Sequence, residues 1–535
     1  MKFLRNSLRL TLSLFPRTLL PNLLTWVYPL IICLVDGKWK ETKAYKWVVD
    51  PMNGDNFIEM PNTNEEELKE FAESMAKVPK TGLHNPLKNT ERYVMYGEIC
   101  RKVADLLSRK EILEHFSKLI QRVVPKHWDQ CVGEVKVVKC FFANFSGDSV
   151  RYLAHTEAYP GDHDGQRPTS YRWPLGAVAV ISPFNFPLEI PGMQMMGALF
   201  MGNKVIVKAN SKTTVVMEEF VRMLHYCGMP LEDCDLIHCI GNSFEKIYSM
   251  CPIRMTQFTG SSQIAESLAR LTHGRVRLED AGFDWKILGP DVDKMNLDYI
   301  AWQCDQDAYA LSGQKCASES LLLVHSNVAK TDFYEKLKNQ AAKRNLADLS
   351  IGPVLSLKNS QLEEHKKFIE SIEGHKILFG GKPLTGHTIP VYYGAWEPTA
   401  YFVPFKHFLD PALFPKLTEE IFAPVQIVTE YDDSDIDKII ELFEKIPLHL
   451  TAAVVSNDIP FRTKILAHTS NGTTYAGYRA RTTGAPQNHW FGPAGDIRAA
   501  GIGTAEAIRL VWSVHREIIY DELPEPKAWA MPAPT

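Results

Sequence analysis

The hydrophobic pattern of the chain changes near residue 173. Before that point, apolar residues recur at helical spacing over residues 65–76 and 91–116, which predicts amphipathic helices near the surface. Beyond it, short β-branched runs at 177–182 and 204–208 are separated by a helical stretch. Strands that alternate with helices in this way predict a parallel sheet covered by helices on both faces.

The alternation continues toward the C-terminus and predicts a second α/β domain. Further strands are predicted at residues 236–240 and 255–259 and, after residue 289, at 320–324, 426–429 and 450–455. The helices predicted among them are 215–226, 264–272 and 332–347. Two segments, 159–172 and 510–520, stand apart from the alternation. They are typical of pieces that protrude and pair with another subunit by edge addition.

Length and charge narrow the possible partners. The chain has 535 residues, of which 45% are hydrophobic and 23% charged, and length alone favours two or three domains. A formal net charge of -4 supplies no basic field for nucleic acid or for an anionic membrane surface. We therefore expect a small-molecule substrate, no nucleic acid and no stable membrane insertion.

The cysteines and the N-terminus bear on the compartment. Ten cysteines form neither a disulfide framework nor a zinc-binding spacing, which indicates a reducing compartment and no metal site. Residues 1–30 are rich in Leu, Ser and Arg, and no acid precedes Asp36, as in organelle leaders. A signal anchor is the alternative, but two prolines and an asparagine interrupt the apolar run 19–35, already short for the roughly 20 residues of a span. A cleaved mitochondrial leader is favoured.

A cysteine at residue 316 stands in a setting that suits a nucleophile. In Ser312-Gly-Gln-Lys-Cys316, a glycine-containing turn gives access, and the buried strand predicted just beyond gives rigidity. The thiolate is the reactive form of cysteine, and a nearby positive charge or nicotinamide ring favours it. Because buried structural cysteines are common, the segment alone does not distinguish a nucleophile from a core residue.

Polar side chains follow the first two strands of the predicted sheet. The segment Ser182-Pro183-Phe184-Asn185-Phe186-Pro187 lies at the carboxyl end of a strand, the edge where open α/β sheets bind ligands. Asn185 offers an amide donor for an oxyanion, and Lys208 can bond the ribose hydroxyls of a nucleotide. Taken singly, the segment can be a simple turn and Lys208 a solvated strand-end lysine.

Two later strand ends add a candidate anion site and a candidate base. Gly260 allows a ligand to approach the backbone, and Ser261 can cap a helix whose N-terminal amides face a pyrophosphate. Glu279 lies beside a small-residue turn, where a carboxylate can activate water against a thioester. A plain capping turn and a solvated Glu-Asp pair are the alternatives.

The ordered set of these segments resembles the aldehyde dehydrogenase superfamily over nearly the whole chain after the leader. The matching motifs and positions are Pro183-Phe-Asn-Phe-Pro187, Lys208, Phe258-Thr-Gly-Ser261, Leu278-Glu-x-x-Gly282, Gly313-Gln-x-Cys316 and Glu419-Glu-Ile-Phe422. Three longer segments are similar to segments of the plant-type mitochondrial delta-1-pyrroline-5-carboxylate dehydrogenases. These are Arg277-Leu-Glu-Asp-Ala-Gly-Phe-Asp-Trp-Lys286, Trp302-Gln-Cys-Asp-Gln-Asp-Ala-Tyr309 and Thr483-Gly-Ala-Pro-Gln-Asn-His-Trp-Phe-Gly-Pro493.

The resemblance implies an aldehyde dehydrogenase-like α/β fold, with a Rossmann-like NAD-binding domain, an α/β catalytic domain and a small β oligomerisation arm. We expect a leader at 1–30, an NAD-binding domain at 31–158 and 173–288, a catalytic domain at 289–500 and an arm at 159–172 and 505–535. A homo-oligomer, dimer or tetramer, in the mitochondrial matrix is implied.

The resemblance also implies the catalytic roles. Cys316 attacks the aldehyde carbon, while the Asn185 amide and the Cys316 backbone N–H hold the oxyanion. Hydride passes to the nicotinamide, which leaves a thioester on Cys316. Glu279 then directs water to the thioester, so a free carboxylate is the expected product.

NAD is the implied cofactor. The matching positions are Ser182, Pro183, Phe184, Lys208, Ser211, Gly260, Ser261, Glu420 and Phe422. Among them, Glu420 and Phe422 correspond to contacts with the nicotinamide ribose and ring, and Lys208 to a contact with the adenosine ribose. Ser211 stands where many members carry a glutamate that rejects a 2′-phosphate by charge. NADP therefore stays open, and the family favours NAD.

The narrower family implies that L-glutamate gamma-semialdehyde is oxidised to glutamate in proline catabolism. Backbone amides near Gly503 and Thr504 can hold its carboxylate, Glu134 its ammonium, and Phe186 its aliphatic chain. The family's serine after the nucleophile is replaced by alanine here, with Ser318 one residue later. The alternatives are a broad-specificity dehydrogenase using NAD or NADP and a catalytically silent structural relative.

Overall fold

The computed structural model describes residues 31–280, 282–447, 449–522 and 533–535. The predicted leader at 1–30 lies outside the described residues, as does most of the arm predicted beyond residue 522. Within the described part of the chain, no helix combines the length and the apolar character that crossing a membrane requires. All ten cysteines lie in that part and are free.

The first domain is built on a seven-stranded sheet whose central strands are buried on both faces. Its strands are β1 (Cys33–Val35), β2 (Lys38–Lys40), β7 (Ala177–Ile181), β8 (Lys204–Lys208), β9 (Cys234–Leu236), β10 (Met255–Thr259) and β11 (Val276–Glu279), in the order 11-10-7-8-9-1-2. The five from β7 to β11 are parallel, and β1 and β2 are antiparallel additions. Continuous apolar runs such as that of β7 are typical of parallel strands covered on both sides.

Helices cover both faces of this sheet. They are α1 (Glu65–Ala76), α2 (Glu91–Ser108), α3 (Lys110–Val123), α4 (Trp128–Asn144), α5 (Glu189–Phe200), α6 (Val215–Tyr226), α7 (Gly241–Glu245), α8 (Ile247–Met250) and α9 (Ser262–Leu271). The predicted strands at 204–208 and 255–259 and helices at 65–76 and 215–226 are confirmed. The helix predicted over 91–116 is instead two helices, because Arg109 adopts extended dihedrals between α2 and α3. The strand predicted at 236–240 ends at Leu236.

The second domain is built on another seven-stranded sheet. Its strands are β12 (Asp284–Leu288), β13 (Glu319–His325), β14 (Lys376–Phe379), β15 (Thr399–Phe402), β16 (Val425–Tyr431), β17 (Thr451–Val455) and β18 (Thr473–Ala476), in the order 14-15-16-13-12-17-18. Only the β14 and β15 pair is antiparallel. Its helices are α10 (Leu297–Tyr309), α11 (Ser326–Ala329), α12 (Phe333–Ala341), α13 (Asn359–Glu370), α14 (Phe414–Leu417), α15 (Ile436–Lys445) and α16 (Ile459–Ala467). The helix predicted at 332–347 ends at Ala341.

A three-stranded antiparallel sheet stands apart from both domains. It joins β5 (Glu157–Ala158), β6 (Gln166–Pro174) and β19 (Ser513–Asp521), with β19 paired to β6 along its whole length. A separate hairpin joins β3 (Tyr45–Val49) and β4 (Asn56–Pro61). Short 3-10 helices occupy Gly147–Ala154, Leu231–Asp233, Val292–Lys294, Ala310–Gly313, Phe405–Leu409, Asp433–Asp435 and Pro486–Asn488.

Two predicted domain boundaries are wrong. Residues 284–288 were assigned to the first domain, but β12 pairs with β13 and β17 in the second sheet. The arm was predicted to start at residue 505, but 505–512 form α17 (Ala505–Trp512), capped by the Thr504 hydroxyl. The apolar residues of α17 fall on one helical face and pack into the core of the first domain. The strand therefore begins at Ser513 rather than Leu510.

The strand order locates the ligand-binding edge. β7 lies between β8, which follows it in the chain, and β10, which starts the other half of the sheet. In open α/β sheets, such a reversal opens a crevice at the carboxyl ends of the two central strands. Ser182 and Gly260 directly follow β7 and β10, so the predicted segments meet at this point.

Candidate active site

The nucleophile candidate Cys316 lies on a rigid, strained turn. Leu311 and Ser312 adopt positive φ angles of 56° and 53°, unusual for residues other than glycine. The Ser312 hydroxyl donates to Gly352 O at 3.0 Å and accepts from Gly352 N at 2.8 Å, which fixes the turn. At Gly313 a Cβ atom would lie 2.0 Å from Ala423 O. The turn presents Cys316, half-buried, three residues before β13.

The predicted oxyanion donor lies beside this turn. The Asn185 side chain is buried, and its amide Nδ2 donates to Gln314 O at 3.1 Å, two residues before Cys316. The other amide atom, Oδ1, has no hydrogen-bond partner among the described residues. The turn after β7 thus brings an amide of the first domain to the nucleophile of the second.

Glu279 ends β11 and faces the same point. Burial raises the pKa of Glu279 to about 7, and hydrogen bonds from Cys316 and Thr259 offset part of that rise. Thr259 is its neighbour on β10, and the Thr259 hydroxyl accepts from Gln194 Nε2 at 2.8 Å. A carboxyl group with a pKa near neutrality can act as a general base.

The surroundings of the Cys316 thiol favour its protonated form. Burial raises the pKa of Cys316 well above its ordinary value, and the charges of Glu279, Asp284 and Glu420 add to the rise. The Glu279 carboxylate is also a hydrogen-bond partner of the thiol. Attack on a carbonyl therefore requires transfer of the thiol proton, and Glu279 is placed to accept it.

Several groups at the crevice fit a nucleotide. The Ser182 hydroxyl is buried and has no partner among the described residues. Lys208 is also buried, pairs with no carboxylate in the described chain, and burial lowers its pKa. Burying a polar group without a hydrogen-bond partner costs free energy. A ligand that supplies hydroxyls or an anion would provide the missing partners. Ser182 N donates to Lys208 O at 3.2 Å, which ties the two strand ends together.

The N-terminus of α9 and the turns after β7 and β8 hold the other predicted cofactor residues. Gly260 precedes Ser261, whose side chain is exposed and does not cap the helix. The helix N-terminal amides are thereby left to an anionic ligand. At Gly260 a Cβ atom would lie 2.6 Å from the Phe258 ring. Pro183 and Ser211 are half-buried in their turns.

An aromatic contact closes one side of the crevice. The Phe184 and Phe422 rings meet edge to face, with centroids 6.1 Å apart, so the first and second domains touch here. Phe422 has a φ angle of 55°, another positive value outside glycine. The neighbouring Glu420 is half-buried, and burial together with the charge of Asp284 raises its pKa well above the ordinary range. Backbone strain of this kind persists where the surrounding structure holds a functional side chain in place.

The predicted carboxylate loop reaches the nucleophile. Ile502 packs in a cluster with Cys316 and with Ala317, Leu450 and Phe491. Gly503 has a φ angle of 94°, and a Cβ atom there would lie 1.8 Å from Pro486 O, so only glycine fits. Within the described residues, the amides of Gly503 and Thr504 donate to no acceptor. The Thr504 hydroxyl accepts from Ala507 N at 3.2 Å.

The other predicted substrate residues have internal partners. The Ser318 hydroxyl donates to Gly313 O at 3.0 Å. Glu134 forms a buried ion pair with Lys126 and accepts two backbone N–H groups. Lys126 also lies over the Phe186 ring, at 4.5 Å from its centroid. Ser318 and Glu134 are thus occupied within the protein in a way that their sequence positions did not indicate.

Three residues near the site were missed by sequence reasoning. Thr259 lies inside the motif Phe258-Thr-Gly-Ser261, and it is paired with Glu279 because β10 and β11 are adjacent strands. Lys315 precedes the nucleophile, and its ammonium donates to Gln306 O and Thr483 Oγ1, each at 3.0 Å. Lys126 carries no local signal, because a lone lysine between two helices normally indicates a solvated side chain.

A buried charge network lies next to the segment that carries Cys316. Lys286 of β12 pairs with Asp307 of α10 at 2.8 Å and with Glu319 of β13 at 2.7 Å, and all three side chains are fully buried. Asp307 also accepts from Arg481 and from Thr482 N. The network links two central strands, a helix and the loop that contacts Lys315.

This arrangement can perform nucleophilic chemistry at a carbonyl. It brings together a thiol, a carboxyl base and an amide donor, beside a crevice with unpartnered polar groups. Such a set can form a thioester, stabilise the oxyanion on the way to it, and hydrolyse it.

Comparisons with known proteins agree with this chemistry. The sequence profile of the aldehyde dehydrogenase family matches residues 39–510. The chain is 53% identical to a probable aldehyde dehydrogenase of Linum usitatissimum, over 94% of this chain and 91% of that protein. It is also 53% identical to the mitochondrial delta-1-pyrroline-5-carboxylate dehydrogenase 12A1 of Arabidopsis thaliana, over 94% and 90%. The fold superposes on betaine aldehyde dehydrogenase of Staphylococcus aureus with a TM-score of 0.79 at 19% identity, over 94% and 97% of the two chains.

Proposed function

The chain belongs to the aldehyde dehydrogenase family, and from that membership we propose that it oxidises L-glutamate gamma-semialdehyde to L-glutamate with NAD. The semialdehyde is the open form of 1-pyrroline-5-carboxylate, so the reaction belongs to proline catabolism. The name of the Arabidopsis relative supports this substrate and a mitochondrial location. The reaction class follows from the family, and the substrate from the relative and the site.

In the proposed mechanism, Cys316 first attacks the aldehyde carbon. Glu279 accepts the thiol proton, and the sulfur forms a bond to the carbon while the carbonyl π electrons move onto oxygen. The Asn185 amide exchanges its bond to Gln314 O for a bond to that oxyanion. Bound NAD supplies the acceptor for the hydride whose loss converts the hemithioacetal to a thioester.

Deacylation uses the same carboxylate. Glu279 first releases to solvent the proton that it took from the thiol. In its ionised form it then takes a proton from water, and the hydroxide so formed attacks the thioester carbon. The carbon–sulfur bond then breaks and releases glutamate, and the thiol is restored by the proton held on Glu279. Because the pKa of Glu279 is raised to about 7, its basicity and its ionised fraction are both adequate near neutral pH.

The cofactor assignment rests on the groups at the crevice. Ser182 and Lys208 would supply a hydroxyl and an ammonium for the adenosine side, and the N-terminus of α9 after Gly260 would hold the pyrophosphate. Glu420 and Phe422 would contact the nicotinamide half. The family uses NAD or NADP. We propose NAD as the preferred oxidant, although Ser211 lacks the charge that would exclude a 2′-phosphate.

One observation carries the choice of substrate. The amides of Gly503 and Thr504 have no acceptor in the described residues, and their loop packs against the nucleophile cluster through Ile502. Two adjacent free amides can bind a carboxylate. An aldehyde that carries a carboxylate at its far end fits this arrangement better than a neutral or cationic aldehyde.

The experiment compares kcat/KM for glutamate semialdehyde, propanal and betaine aldehyde, each with NAD and with NADP. We expect kcat/KM for the semialdehyde to be at least about 100-fold higher than for the other aldehydes. A substrate without the carboxylate would leave the protein groups that bind it without hydrogen-bond partners. NAD should be preferred over NADP. Equal kcat/KM values for the three aldehydes would instead support a broad-specificity enzyme.

Assembly and compartment belong to the same proposal. The strand β19 carries exposed apolar side chains, among them Val514 and Ile519, on the sheet that stands apart from both domains. We propose that this arm joins copies of the chain into a dimer or tetramer in the mitochondrial matrix. Light scattering on the full chain, and import into isolated mitochondria, test the two parts separately.

A further inference from the structure

A buried ion pair contacts the turn that carries Asn185 and has no part in the proposed chemical steps. It joins Lys126, which lies between α3 and α4, to Glu134 of α4, with an Nζ to Oε2 distance of 2.6 Å. Both side chains are fully buried. Removing two charges from water is costly, and a buried pair can often be replaced by apolar residues without loss of stability. Its presence therefore calls for a role beyond stability.

Among the residues that the structure describes, all further polar contacts of the two side chains go to one short turn. Lys126 Nζ donates to Asn185 O at 3.1 Å, and Glu134 Oε1 accepts from Leu188 N at 2.8 Å and from Glu189 N at 3.1 Å. The ammonium also lies over the ring of Phe186. The pair thus fixes residues 185–189 at both ends.

The pair is itself held rigidly. Glu134 lies in the second turn of α4, and the Lys126 backbone carbonyl accepts from Gln121 Nε2 at 2.9 Å. Asn185, in contrast, makes a single side-chain hydrogen bond within the described part of the chain, from Nδ2 to Gln314 O. In the proposed mechanism that bond is exchanged for the oxyanion. The placement of the amide then depends on where the backbone of its own turn is held.

We propose that Lys126 and Glu134 are positioning residues that hold the Asn185 turn so that its amide meets the oxyanion formed when Cys316 attacks a carbonyl. This inference rests on the proposed role of Asn185. Neither residue touches the reacting atoms, and both act through the backbone of residues 185–189. An oxyanion donor is effective only when it is preorganised, so a small displacement of this turn slows attack.

The test compares two reactions of the same thiol on the full chain. Attack on p-nitrophenyl acetate forms a carbon–sulfur bond through an oxyanion and expels p-nitrophenolate. Alkylation by iodoacetamide displaces iodide at a saturated carbon and forms no oxyanion. In Lys126→Met and in Glu134→Gln, we expect the first reaction to slow by about 100-fold, as when an oxyanion donor is lost. The second should change less than about twofold.

Three companion variants make the result specific. Arg92→Met breaks another ion pair of the first domain, that of half-buried Arg92 with buried Asp233, and should leave both reactions unchanged. Asn185→Ala should slow the ester reaction alone. In Lys126→Met combined with Asn185→Ala, we expect no further loss beyond Asn185→Ala, because the two changes act on the same donor.

Each outcome supports or overturns the inference. Normal ester reactivity of Asn185→Ala would overturn the proposed oxyanion role itself, whereas a slow Asn185→Ala beside a normal Lys126→Met would overturn only the positioning role. Equal loss in both reactions would show a general structural effect and overturn it too. If Glu134 instead binds the substrate ammonium, Glu134→Gln raises KM for glutamate semialdehyde and spares the ester reaction. If Lys126→Met fails to fold, the result for Glu134→Gln decides between these outcomes.

Discussion

The two sides of the active-site cleft hold buried polar groups of opposite kinds. On the first-domain side, Ser182 Oγ, Asn185 Oδ1 and Glu279 Oε2 have no hydrogen-bond partner among the described residues. On the second-domain side, Lys286 pairs with both Asp307 and Glu319 in a fully buried network. The three first-domain atoms are open to a ligand, whereas the charge of Lys286 is paired within the protein.

This difference separates groups that serve function from groups that serve stability. A buried polar group without a partner costs about 1–3 kcal/mol, so its removal should not destabilise the fold. A buried charge whose partner is removed is strongly destabilising. Variants of the unpartnered groups should therefore lose activity while they stay folded, and variants in the Lys286 network should lose stability.

The largest expected effect comes from the nucleophile, which lies between the two sides. Cys316→Ala should lower turnover by at least about 10⁴-fold, because no other group nearby can form the thioester. NAD binding, followed by nucleotide fluorescence, and the thermal unfolding midpoint should stay unchanged. Turnover above about 1% of the parent value would contradict the assignment of Cys316.

The network should show the largest effect on stability. Lys286→Met leaves Asp307 and Glu319 buried without their cation, so we expect the free energy of unfolding to fall by about 3–5 kcal/mol. Urea denaturation measures it. The exposed pair of Lys43 with Glu66 gives the matched control, and Lys43→Met should leave the value within experimental error. A fall below about 1 kcal/mol for Lys286→Met would remove the contrast between the two sides.

A cofactor-side variant sharpens the comparison from the opposite direction. Lys208→Met removes a buried ammonium that pairs with no carboxylate in the described chain. We expect KM for NAD to rise about tenfold, as for loss of one charge-assisted hydrogen bond, with the free energy of unfolding unchanged or higher. Initial rates at varied NAD, together with urea denaturation, give both values. Loss of stability with an unchanged KM would place Lys208 among the structural lysines.

The smallest effect is a pH dependence. Deacylation needs ionised Glu279, whose pKa is raised to about 7, so its rate should rise with pH through neutrality and level off about one unit above. Between pH 7 and pH 6, we expect a fall of roughly fivefold, as the ionised fraction of such a group dictates. Single-turnover release of glutamate measures the rate. A rate that is constant from pH 6 to pH 8 would exclude Glu279 as the base.

Sequence reasoning succeeded where the signal is local. The strands β7, β8 and β10 are short buried runs with apolar or β-branched residues, and Ser182, Lys208 and Gly260 lie at or directly after their carboxyl ends, so strand ends and candidate site were predictable together. The break between α2 and α3 was not predictable, because the helical spacing of apolar residues continues across Arg109, whereas the backbone of Arg109 is extended.

Long-range pairing is what the sequence did not reveal. The sequence predicted a substrate contact for Glu134 and did not predict its partners, which are Lys126, eight residues away, and amides that lie 54 and 55 residues away along the chain. Likewise β12 was assigned to the wrong domain, since the sequence of a buried strand of five residues does not indicate which sheet it joins. Such assignments depend on tertiary neighbours, which spacing along the chain does not encode.

The most direct test of the mechanism is to trap the acyl group on the protein. Glu279→Gln is mixed with NAD and glutamate semialdehyde and quenched in acid, and its peptides are weighed by mass spectrometry. The account predicts a glutamyl thioester on the peptide that contains Cys316, formed at the same rate as the first equivalent of NADH. An unmodified Cys316 after that equivalent of NADH has appeared, or an acyl group on another residue, would contradict it.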